Sequence, residues 1–294
     1  MPRIAANAIE LHYESFGSAS APAVLLIMGL GAQMTRWNVE LCDLLVERGF
    51  RVIRFDNRDC GLSTLCDGQG LPDIGAALRG GSLFALPYTL ETMAADGIGL
   101  LDALEIEAAH LVGASMGGAI AQITAARFPE RTLSLTSIMS SSGNPMLPPP
   151  AQAAALSLFA PLPATLERKT IVNDAVARFQ AVASPGYPTA PEDLQIMFGL
   201  EYDRSFCPQG VARQLGAFIA NGDRRPLLRR ITCPTVVLHG KDDPLIKLAC
   251  GEDVAKNVPD AELRVVEGMG HDFPVALTET FADAICQAAA RSAR

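Results

Sequence analysis

Short, unbroken apolar runs alternate with stretches of helical spacing along most of this chain. That alternation constrains the fold more than any other feature. Residues 23–28 are apolar throughout, as expected of a strand covered on both faces. The segments 51–55, 111–114, 133–139, 235–238 and 263–266 repeat the signal. Between them, 37–48, 89–104, 116–128 and 245–257 read as helices, and 273–290 closes the chain as another. Residues 9–16 alternate apolar and polar, the pattern of an edge-like strand with one wet face. Buried strands alternating with helices predict an α/β fold, with a mostly parallel central sheet flanked by helices. Right-handed crossovers then restrict the topology.

The alternation fails once. From 143 to 225 no buried-strand signal occurs. Pro145, Pro148, Pro149 and Pro150 open this stretch, and helical fragments follow at 151–159, 165–182, 192–200 and 210–220. A structureless loop of that length is rare in a compact domain. Residues 143–226 are therefore expected to form a helical cap inserted into a core domain built from 1–142 and 227–294. An insertion at strand carboxyl ends lies over the ligand crevice of an open α/β sheet.

Gly113-Ala114-Ser115-Met116-Gly117 follows an apolar strand and opens a helix. A serine on so sharp a turn takes a strained backbone conformation, which costs about 1–3 kcal/mol. The residues two before and two after it must be small, and here both are glycine. A serine that merely caps a helix is the plainer reading of the pentapeptide alone. A hydroxyl is a weak nucleophile at neutral pH and needs a base with an orienting partner.

The chain has four histidines. His12 lies in the first strand, and His110 sits at the amino-terminal end of the serine's strand, the wrong end of the sheet. His271 follows Gly268-Met269-Gly270 after the last strand, at the carboxyl edge where Ser115 also sits. It is the expected base, with His239 the weaker alternative. The orienting acid is expected to be Asp243, with Asp242 the runner-up, in the turn after the 235–238 strand. The position one strand earlier holds Ser140, Ser141 and Ser142 and no carboxylate. An oxyanion hole needs two backbone N–H groups. Met116, at a helix amino terminus, is one expected donor. Leu30, in the Met28-Gly29-Leu30-Gly31 loop, is the other.

With these residues in view, the chain resembles the α/β-hydrolase fold superfamily over nearly its whole length. The resemblance is carried by Met28 to Gly31, by Asp56-x-Arg58-x-x-Gly61-x-Ser63, by Gly113 to Gly117, by Gly240 to Asp243 and by Gly268 to His271. The order Ser115, Asp243, His271 is the order of that superfamily. The first two motifs look like a bacterial esterase branch that includes aclacinomycin methylesterase. The resemblance implies a triad of Ser115, Asp243 and His271, an oxyanion hole framed by Leu30 and Met116, and a helical cap. Met28 departs from the pattern, replacing a usual histidine. The cap offers no residue pattern to match, so the anthracycline substrate is not carried over. Asp56, Arg58 and Ser63 are expected to anchor a loop.

The implied reaction is hydrolysis of a carboxylic ester of a small or apolar substrate through an acyl-serine, with no cofactor and no metal. Cofactor-free perhydrolysis and lactone, thioester or C–C hydrolysis use the same residues and stay open, as does a non-turnover ligand receptor on the same scaffold. In the insertion, Leu156, Leu158, Phe159, Phe179, Met197, Phe198, Leu200, Phe206 and Phe218 are expected mainly to pack the cap against the core. The net charge is −8 with no basic block, which argues against nucleic acid and anionic membranes as partners. The apolar run 21–34 is too short to span a membrane and is broken by Gly29 and Gly31. No signal peptide is visible at the amino terminus. Seven cysteines, an odd number with no Cys-x-x-Cys pair, argue against a disulfide framework or a structural zinc site and for a reducing, cytoplasmic setting. The expected partner is a small-molecule ester. A homodimer through an exposed cap face stays open.

Overall fold

The computed structural model describes residues 2–78 and 86–292. Its eight strands are β1 (Arg3–Ala6), β2 (Ile9–Phe16), β3 (Ala23–Ile27), β4 (Arg51–Phe55), β5 (Ala109–Ala114), β6 (Thr132–Ile138), β7 (Thr235–Gly240) and β8 (Glu262–Val266). They form one sheet in the order β1-β2-β4-β3-β5-β6-β7-β8. β4 and every strand beyond it in that order pair in parallel, whereas β1 and β2 are antiparallel additions.

Every residue of β3 and β5 is buried, because helices cover both faces. Leu25 and Ile27 point to one side, onto α3 (Leu90–Ala103) and α4 (Met116–Arg127). Val24 and Leu26 point to the other, where Leu41 and Leu45 of α1 (Val39–Glu47) and Phe281 and Ile285 of α11 (Thr278–Ser292) pack. The period of two along a strand thus divides one sheet between two cores.

The strand 9–16 is not the edge of the sheet. β1 covers it, pairing Ile4 with Leu11, so His12 is buried. The hairpin turns on Asn7 and Ala8, both at positive φ. A strand of four residues is too short to display a period, which is why it escaped the sequence pattern. Several helices also begin later than expected. Asn38 caps α1 by accepting the N–H of Leu41 at 2.9 Å. Trp37 is left outside that helix, its ring tilted against that of Phe273 with centroids 4.7 Å apart. α10 (Leu248–Asn257) starts after the Asp243 turn, and α11 starts after Pro274.

A short helix α2 (Ile74–Leu78) precedes α3. Between β6 and β7, among the described residues, there is no strand. The chain there forms α5 (Gln152–Phe159), α6 (Arg168–Gln180), α7 (Pro191–Arg204), α8 (Pro208–Asn221) and α9 (Arg225–Leu228). Proline at the first turn of α7 and of α8 sets their starts. Leu156, Phe159, Leu200 and Phe206 are exposed rather than packed on the core. Phe179 and Phe198 pack edge to face, with Arg36 of the core over Phe198.

Buried ion pairs tie these helices to the segment after β4. Arg213 of α8 grips Asp59 through two hydrogen bonds of 2.8 Å, and both side chains are fully buried. Burial alone would raise the Asp59 carboxyl. The hydrogen bonds from Arg213, Tyr88 and the Cys66 N–H outweigh it and hold the group below the usual carboxylate range. Arg204 of α7 lies 2.7 Å from Asp56, which also accepts the N–H groups of Met34 and Leu62. Arg58 pairs instead with Asp96 of α3. The 56–63 segment is thus an anchor, with each charge answered by a distant element. Gly61 lies against the Asp56 carboxylate at φ 56°, a place with no room for a side chain. Among the described residues, no helix is long and apolar enough to cross a membrane.

Candidate active site

Ser115 alone separates the end of β5 from the start of α4, at φ 55° and ψ −119°. Such a backbone costs about 1–3 kcal/mol and persists only where its surroundings over-determine it. Its N–H donates to Ile138 at 2.9 Å. Its carbonyl accepts the Ser140 hydroxyl at 2.7 Å and the Gly118 N–H at 3.0 Å. A Cβ on Gly113 would collide with the Gly117 carbonyl, and one on Gly117 with that of Ile27. The turn therefore closes only with glycine at both places.

The loops after β5, β7 and β8 converge at the carboxyl edge of the sheet. His271 Nε2 lies 3.0 Å from Ser115 Oγ, and His271 Nδ1 lies 2.7 Å from Asp243 Oδ2. A carboxylate only accepts, so Nδ1 carries the ring proton and Nε2 is free to accept from the serine. The Asp243 side chain is fully buried. Its Oδ1 accepts the N–H groups of Leu245 and Ile246, at 2.9 and 2.8 Å.

The runners-up have other tasks. Asp242 accepts the N–H of Gly268 and steadies the turn. His239 is buried, with Nε2 donating to the Ile246 carbonyl at 2.7 Å; burial holds its pKa down. His110 lies at the opposite end of β5, bonded to Ser134, and burial pushes its pKa down to about 4.

Gly29 stands against the serine: a Cβ built on it would lie 3.1 Å from Ser115 Cβ. This sets the backbone of the Met28–Gly31 loop against the serine. Among the described residues no group accepts from the N–H of Leu30 or of Met116. The N–H of Gly31 is taken by Gln214 at 2.8 Å. Asn57 holds the same loop by donating to the Met28 carbonyl. Gln214 and Asn57 went unnoticed in the sequence. Asn57 lies inside the Asp56–Ser63 motif, but an amide on α8 carries no local signal. Among the described residues, no group of three or more His, Cys, Asp or Glu side chains is placed to hold a metal ion.

Comparison with known proteins agrees with the fold. The family described as alpha/beta hydrolase fold matches residues 22–275. Rhodomycin D methylesterase DnrP of Streptomyces peucetius is 28% identical over 304 aligned residues, spanning 95% of this chain and 94% of that protein. 3-Oxoadipate enol-lactonase 2 of Acinetobacter baylyi is 27% identical over 90% of this chain and 87% of its own length. The crystal structure of the enol-lactonase from Burkholderia xenovorans LB400 superposes with a TM-score of 0.73, covering 98% of this chain and 99% of that one at 23% identity.

Proposed function

The chain belongs to the alpha/beta hydrolase fold family and is a hydrolase, and on that premise we propose that it cleaves carboxylic esters of a small or apolar substrate through an acyl-serine. The observation that carries the reading is the unbroken hydrogen-bond chain from Ser115 through His271 to Asp243.

In this reading Ser115 Oγ attacks the ester carbonyl carbon as its proton passes to His271 Nε2. The carbonyl π electrons move onto oxygen, and the N–H groups of Leu30 and Met116 receive that charge. Losing one such donor costs about 3–4 kcal/mol in comparable sites. The C–O bond to the alcohol then breaks, and the leaving oxygen takes the proton back from His271. Water, deprotonated by the same nitrogen, attacks the acyl-serine and releases the acid. Asp243 keeps Nδ1 protonated and offsets the imidazolium charge throughout. Residues 143–226 act as a cap that shapes the pocket, and their apolar side chains favour an apolar acyl or alcohol group. The seven free thiols suit a reducing compartment such as the cytoplasm.

A lactone is an internal ester and meets the same groups. The enol-lactonase relative makes it the second reading. The test is a panel of p-nitrophenyl esters and lactones of varied acyl length, run on the wild type, Ser115→Ala and His271→Ala, with and without peroxide. The expected result is multiple turnover by the wild type alone, without need of peroxide, together with fluorophosphonate labelling that Ser115→Ala abolishes. Full activity in either variant, or turnover only with peroxide, would overturn the proposal.

A further inference from the structure

Residues 182–186, between α6 and α7, grip the loop that carries His271. The His271 N–H donates to the Val182 carbonyl at 2.7 Å, and the Gly186 N–H donates to the Gly268 carbonyl at 2.9 Å. Ser184 stands between these two ties. Its hydroxyl accepts the Gly270 N–H at 2.8 Å and donates to Oδ1 of Asp272. One hydroxyl thus joins the residues on either side of His271, and it belongs to the inserted segment rather than to the sheet.

The grip is built to be stiff and dry. Ser184 is 2% exposed and Asp272 is 4% exposed. A turn follows, in which the Tyr187 N–H donates to the Ser184 carbonyl, and Pro185 at its second position restricts φ. Gly186 and Gly268 touch backbone to backbone: a Cβ on Gly186 would lie 2.8 Å from the Gly268 Cα. Asp272 Oδ2 is buried with no partner. Burial raises the Asp272 carboxyl, and the hydroxyl and backbone N–H of Ser184 offset only part of that. Ser184 is therefore the residue whose contacts fix this side chain's direction.

We infer that Ser184 is a positioning residue for His271, setting the loop so that Nε2 stays within reach of Ser115 Oγ. The inference rests on the proposed role of His271 as the base. Removing the hydroxyl leaves the Gly270 N–H buried and unpaired and takes from Asp272 its hydroxyl donor, and the loop must shift to satisfy them. A shift of about 1 Å at a reacting group is enough to cost on the order of 10²-fold in rate.

The experiment compares full-length wild type, Ser184→Ala and Ser184→Thr with p-nitrophenyl acetate, reading kcat and KM separately, and with a fluorophosphonate, reading the labelling rate of Ser115. Ser184→Ala is expected to lower both kcat and the labelling rate by roughly 10-fold or more, with KM changed by less than about 3-fold. Ser184→Thr, which keeps the hydroxyl, is expected to recover most of both rates. If Ser184→Ala does not fold, Ser184→Cys replaces it and is expected to show the same paired loss. Unchanged rates with only a lower melting temperature would overturn the inference, as would a rise in KM with kcat intact. Ser115→Ala and His271→Ala read the underlying assignment independently. Wild-type turnover in either removes the proposed function itself. Inactivity of both, beside a fully active Ser184→Ala, removes only the positioning role.

Discussion

His271 Nδ1 lies 2.7 Å from Oδ2 of Asp243, while the other oxygen of that carboxylate is held by two backbone N–H groups. The acid therefore cannot swing away, and its charge is aimed at the ring. Asp243→Asn would keep the two backbone bonds through Oδ1 and turn its amide N–H toward Nδ1. The ring then protonates at Nε2, where it can no longer accept from the serine. The expected outcome is a fall in kcat of about 10⁴-fold, as in other triads, with the fold intact. Steady-state kinetics beside a thermal melt check it; a loss under tenfold would mean that the carboxylate does not set the tautomer.

Gly117 has no space for a methyl group, because the obstacle is the Ile27 carbonyl and not a side chain that can rotate. Gly117→Ala is expected to lose about 3 kcal/mol of stability or more, or to fail to fold. Urea unfolding measures this. A variant as stable as the wild type would show that β3 and α4 approach less closely than described.

Removing one partner from a buried ion pair leaves the other charged and dry, so Arg213→Met alone is expected to cost about 3–5 kcal/mol. Asp59→Asn/Arg213→Met removes both charges and is expected to cost less than the two single changes together. A double-mutant cycle by urea unfolding reads the coupling. Strict additivity would contradict a direct pair.

His110 ties stability to acid. Its folded pKa, pushed down to about 4 by burial, lies below the ordinary 6.5. The unfolded chain therefore binds a proton in this window that the folded chain refuses. Its contribution is whole above pH 6.5 and is lost as pH falls toward 4, for a total of about 3 kcal/mol. His110→Asn is expected to flatten the pH dependence of stability by about that amount. Parallel curves for wild type and variant between pH 6.5 and 4 would be the contrary result.

The sheet was legible because buried parallel strands announce themselves as apolar runs, and the carboxyl-edge residues followed from where those runs end. Ser115, Asp243 and His271 are local signals, each fastened to a strand end by glycine. Residues whose importance depends on a remote partner left no such trace. Arg213 reads as a solvated helix charge until Asp59, 154 residues away, is seen beside it. Ser184 reads as a turn serine until it meets Asp272. Element ends were displaced where one side chain claimed a backbone N–H, as Asn38 does at the start of α1 and Asp243 ahead of α10. The apolar residues of α5 and α7 misled for the opposite reason: helical spacing does not say which face of a small helical layer meets anything, and Leu156 and Leu200 face outward.

The pairings of Arg204 with Asp56 and of Arg213 with Asp59 also limit how the helices between β6 and β7 can be exchanged. A chimaera that took its helices from a relative lacking these arginines would strand two carboxylates in the interior. The interchangeable module is therefore larger than the helices alone. Segment 56–63 has to travel with them, so exchanging these helices means rewriting two regions of the chain at once.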